Sequence, residues 1–125
     1  MERLPREVRP DTSLESPEEH PWHSLTIAAD DRTLDVHYVR GMWQALHSIL
    51  VDAGPDEIRL TILLGLSHEH VERAARGEEI GYVLMGFEEW TQVVLPEPVG
   101  ARHIVGSVAD ERPGAVERKG TSSDR

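Results

Sequence analysis

The sequence predicts an α+β fold: one small domain with a mixed or antiparallel sheet and its helices on one face. Three observations predict it. Residues 24–38 alternate apolar and polar with period two, residues 39–53 repeat apolar side chains at helical spacing, and residues 58–66 form an apolar run leading into a short charged segment.

The alternation predicts a hairpin turning at Asp30-Asp31. Antiparallel pairing then sets Ile27 against Leu34 and Leu25 against Val36, with Thr26 against Asp35 and Ser24 against His37. One face becomes apolar and the other polar, which fixes the register. Aspartate tolerates the left-handed conformation such a turn needs.

From Val39 to Ala53 the apolar residues Val39, Met42, Trp43, Leu46, Ile49, Leu50 and Ala53 fill an arc of about 120° on a helical wheel. Gly54-Pro55 then reads as a helix stop. A helix over 39–53, lying across the sheet, is expected.

Ile58–Leu66 reads as a central strand, because apolar residues fill one side and Leu63 adds to the other. Ser67 is a helix N-cap, and Glu69–Arg73 and Glu72–Arg76 have the spacing and polarity that support a helix ending at Gly77. Ile80–Phe87 and Trp90–Leu95 read as two strands around a Glu88-Glu89 turn, and His103–Val108 as a final short strand. The expected order is β-β-α-β-α-β-β, with one more strand allowed. Residues 1–21, punctuated by four prolines, and residues 110–125 read as flexible tails around a domain spanning 22–109.

The chain has 125 residues, enough for one core without disulfides. Without cysteine it has no thiolate zinc site, iron–sulfur cluster or cysteine nucleophile. No apolar run approaches the ~20 residues of a membrane-spanning helix, and no apolar segment follows the charged first residues. A cytoplasmic protein without a membrane partner is the expectation. The formal charge of −10, from 23 acidic and 13 basic residues, disfavours nucleic acid and permits a basic protein partner.

Seven histidines invite a search for metal or acid–base chemistry. His68-Glu69-His70 lacks the four-residue spacing of helical zinc motifs, since helical residues two apart diverge by about 160°. His68 and Glu72 do share a face and form a weak metal candidate. On the hairpin's polar face, Asp35 beside His37 and opposite Ser24 supplies the residue types of a nucleophilic triad, although side chains on a flat sheet stand parallel and do not converge. No phosphate-loop, dinucleotide, nucleophile-elbow or calcium-loop pattern occurs, and no cofactor is expected.

Three functions compete. The first is a small acidic protein-binding module of inhibitor, immunity or accessory type, covering a basic surface through Glu78, Glu79, Glu88, Glu89 and Trp90. The second is a small enzyme or metal-binding accessory protein using His37 with Asp35 and Ser24, or His68 with Glu72. The third is a homo-oligomeric regulatory domain, in which a free sheet face pairs two copies. The acidic charge and the lack of a converging catalytic set favour the first.

Overall fold

A computed structural model describes residues 6–78, 86–106 and 115–118. Among these residues the chain forms nine strands and one helix: β1 (Arg6–Glu7), β2 (Glu15–His20), β3 (Ser24–Ile27), β4 (Thr33–Arg40), β5 (Gln44–Ala53), β6 (Glu57–Leu66), α1 (His68–Ala75), β7 (Phe87–Val94), β8 (His103–Val105) and β9 (Ala115–Arg118). The strands make two sheets. One runs β1-β7-β4-β3-β9; the other runs β2-β6-β5, with β8 also paired to β6. Pairing is mixed: β1 with β7, β3 with β9 and β6 with β8 are parallel, and the rest are antiparallel.

The two sheets pack through one core. Leu25, Ile27, Leu34, Val36 and Tyr38 come from the first sheet; Leu46, Ile58, Leu60, Ile62 and Leu64 come from the second. Leu34, Val36, Ile58, Leu60 and Ile62 are completely buried, each contributing about 1.5–3 kcal/mol relative to exposure. Trp22 clamps the layers together: its indole is buried and its Nε1 donates to the Leu60 carbonyl at 3.0 Å.

The β3–β4 hairpin has the register its alternation predicts, with Ser24 opposite His37, Leu25 opposite Val36, Thr26 opposite Asp35 and Ile27 opposite Leu34. Asp31 takes the left-handed conformation at φ 61°. Asp30 holds the turn by accepting from the Arg32 and Thr33 amides, both at 2.9 Å. The apolar run at 58–66 lies within β6, between β2 and β5. Helix α1 begins at its Ser67 cap, whose side chain accepts from the His70 amide, and Glu69 pairs with Arg73 at 3.2 Å. It rests on Trp43, which meets His70 edge-on and lies under the Arg73 guanidinium.

The expected helix at 39–53 is instead the end of β4, a short turn and the ten-residue strand β5. The β-β-α-β-α-β-β order fails with it, as do helices arrayed on one face, since α1 is the one helix among the described residues. The cause is a bulge. Between Leu46 and Ser48 the register of β5 against β6 slips by one residue. Inward positions packed on the core therefore fall at Leu46 and Ile49, and this three-residue step imitates helical spacing. Gly54-Pro55 is the bend of the β5–β6 hairpin, with the Gly54 amide donating to the Glu57 carbonyl at 2.8 Å; proline suits the second position of such a turn.

Residues 6–20, read from the sequence as part of a tail, carry β1 and β2, with Leu14 buried between them. β2 runs so close to β6 that a Cβ at Gly65 would stand 2.8 Å from Leu14 Cβ and 2.9 Å from the Glu15 carbonyl. The Glu88-Glu89 turn is absent: Phe87–Val94 is one continuous strand. Of the strand expected at 80–87, residues 80–85 lie outside the described residues, as do 107–114, 119–125 and 1–5. Among the described residues, no helix is long and apolar enough to cross a membrane.

Candidate functional site

The alternating strands of the five-stranded sheet turn one set of side chains into the core and the other set outward. Pairing puts Glu7 beside Trp90, Trp90 beside His37, and His37 beside Ser24 across one row. The next row holds Gln92, Asp35, Thr26 and Glu117. Glu88 precedes Trp90 on the same outward side of β7, opposite Val39. The paired outward strand positions of this face carry the carboxylates Glu7, Asp35, Glu88 and Glu117 and no arginine or lysine; the one described cation beside them is the exposed Arg9, two residues past Glu7.

At its centre are stacked rings. The His37 and Trp90 rings lie 6.2 Å apart, inclined by 26°, and the His23 ring lies 6.3 Å from His37. Trp90 keeps part of its indole in solvent, unlike the buried Trp22 and Trp43. Beside this array, Asp35 Oδ1 is shielded from solvent and accepts no hydrogen bond among the described residues. A shielded carboxylate oxygen without a donor is costly to the fold.

Ser24, Asp35 and His37 thus share the face expected from the sequence, but they are not joined as a triad. Ser24 stands across from His37 and Asp35 across from Thr26, while the imidazole stacks on Trp90; no hydrogen bond links the three among the described residues.

The acidic residues expected to form a contact surface divide among different places. Glu88 is exposed and Trp90 is outward on the same strand. Glu78 lies after α1 and pairs with Arg76. Glu79 lies outside the described residues. Glu89 is the clear correction: strand alternation turns it inward, where it is 5% exposed. There it accepts from the Tyr38 hydroxyl at 3.0 Å and from Arg40 Nε at 2.8 Å. Burial, and next the Glu89 charge, push the Tyr38 phenol pKa far up.

His68 and Glu72 are both exposed on α1. No three metal-ligating side chains come together among the described residues. His68 instead meets a group the sequence reading overlooked: its Nε2 lies 3.1 Å from Asp11 Oδ2 and 3.2 Å from Ser13 Oγ. Ser13 donates to Asp11 Oδ1 through both its amide and its hydroxyl. Both contacts to His68 fall on the same ring nitrogen, so the trio cannot relay a proton as a catalytic triad does, where the base uses opposite nitrogens. The Asp11-x-Ser13 turn was visible in the sequence; its meeting with His68, 55 residues beyond Ser13, was not. Hydrogen bonding from Ser13, with a smaller share from His68, lowers the Asp11 pKa.

Other histidines serve local structure: His20 Nε2 lies 2.6 Å from the Val39 carbonyl, and His47 Nδ1 lies 2.8 Å from Ser48 Oγ. Comparison with protein families, curated proteins and solved structures gives no match to this chain.

Proposed function

We propose that this chain is a small, acidic, non-enzymatic protein-binding module, and that the outward face of its five-stranded sheet docks a basic partner surface. The observation carrying this reading is the acidic excess of that face around a part-exposed tryptophan: Glu7, Asp35 and Glu88 lie about the Trp90–His37 stack, with Glu117 two strands beyond, against the single exposed cation Arg9. Carboxylates of one sign steer a basic partner and raise its association rate, and a tryptophan at the centre supplies the apolar anchor on which binding energy concentrates.

A competing acidic strip exists on β2, where Glu15, Glu18 and Glu19 are all exposed. That strip is an edge strand with Pro17 in it and no aromatic side chain, the composition that protects a sheet edge from unwanted pairing. The test uses a lysine dodecapeptide as the basic probe and the full chain as the receptor. Neutralising Glu7, Glu88 and Glu117 to glutamine abolishes salt-sensitive binding; neutralising Glu15, Glu18 and Glu19 leaves most of it. The reverse pattern, or no binding by the unaltered chain, refutes the reading.

A second reading, the homo-oligomer, rests on β5. This edge strand leaves Leu50 54% and Val51 39% exposed, with no lysine or proline to discourage pairing. Light scattering over a dilution series tests it: a mass that stays at one chain at high concentration eliminates it.

A further inference from the structure

We infer that the partner's anchoring side chain is an arginine, seated on the indole of Trp90 and bonded to the carboxylates around it. This rests on the docking face proposed above and names the chemistry at its centre.

Trp90 is flanked by His37 on β4 and by Glu7 on β1, with Glu88 and Gln92 two residues away along its own strand. Asp35 stands in the row next to the His37–Trp90 pair on the same face. Two residues along a strand span about 7 Å, so a group lying on the indole reaches carboxylates in either row. A guanidinium fits such surroundings better than an ammonium does. Its flat face stacks on an aromatic ring, while its forked N–H groups serve two acceptors at once.

The chain already builds this arrangement twice with its own arginines. Arg73 lies over the Trp43 ring at 5.4 Å, and Arg40 lies over the Phe87 ring at 4.6 Å while its Nε donates to Glu89. Both combine ring, guanidinium and carboxylate, since Arg73 also pairs with Glu69. Trp90 has the ring and the carboxylates, but among the described residues no arginine of the chain lies over it. The outward face therefore presents to a partner the same pairing that the chain satisfies for itself elsewhere.

The test compares hexa-arginine with hexalysine, peptides of equal charge, on the full chain at one salt concentration. Hexa-arginine binds about tenfold more tightly, the scale of one desolvated ring–cation contact. Trp90→Leu removes that preference, and Trp90→Tyr, which keeps a ring, retains most of it. Asp35→Asn weakens hexa-arginine several-fold and hexalysine less. Bound hexa-arginine also shows upfield-shifted side-chain protons from the indole ring current, absent with Trp90→Leu. Equal affinity for the two peptides, or a preference unchanged by Trp90→Leu, overturns the arginine seat while leaving the acidic docking face standing. Failure of both peptides to bind the unaltered chain overturns the docking face and the seat together.

Discussion

Replacing Glu89 with alanine destabilises the fold by about 3 kcal/mol, whereas the same change at its neighbour Glu88 costs less than about 0.5 kcal/mol. The difference follows from strand alternation. Glu89 is 5% exposed, between the sheets, and binds Tyr38 and Arg40. Without it, the Arg40 guanidinium, on a side chain 18% exposed, loses its ion-pair partner. The Tyr38 hydroxyl, on a residue with no solvent exposure, loses its acceptor. Breaking a buried pair by removing one partner costs about 3–5 kcal/mol. The lower end applies because Arg40 keeps some water, its bond to the Gly41 carbonyl and its place over Phe87. Glu89→Gln retains one acceptor and loses about 1–2 kcal/mol. Urea unfolding reads both changes as shifts of the midpoint at constant slope. Equal effects at Glu88 and Glu89 would refute the inward placement of Glu89 and restore it to the docking surface.

Gly65→Ala forces β2 away from β6, because the new methyl meets Leu14 Cβ at 2.8 Å and the Glu15 carbonyl at 2.9 Å; a loss of about 1–3 kcal/mol and faster amide exchange in 14–20 are expected. Raising the pH above about 10 weakens the fold. The Tyr38 phenol has its pKa raised by burial and by Glu89. The stability it contributes is whole below the ordinary tyrosine value and falls as pH climbs past it; Tyr38→Phe removes this dependence. Acid acts on the opposite turn. The Asp30 pKa is lowered by the Arg32 and Thr33 amides, and the Asp31 pKa by the Gly100 amide and then Arg118. Their contribution is present above the ordinary aspartate range and disappears as pH falls through and below it. Faster amide exchange at Arg32, Thr33 and Gly100 checks this, and Asp30→Asn removes part of it.

How much of the fold the sequence disclosed depends on how local the deciding interaction is. The β3–β4 register and the α1 cap were legible because each is fixed by residues close together in the chain. The strand β5 was not, because one bulge between Leu46 and Ser48 changes a period of two into an apparent helical step. β2 was missed because its exposed glutamates and Pro17 suit a tail and an edge strand equally, and its pairing partner, β6, lies far along the chain. The site divides in the same way. That Ser24 and His37 are opposite and Asp35 shares their face could be read from the alternation. The Trp90–His37 stack, the inward turn of Glu89 and the Asp11–His68 contact all depend on long-range pairing.

The most direct measurement is a map of amide and indole shifts in the isotope-labelled full chain as the lysine dodecapeptide is added. The account predicts changes gathered on the outward positions of β1, β3, β4 and β7, with the Trp90 indole among the largest. Changes gathered instead on β2 or α1, with Trp90 unmoved, would contradict it.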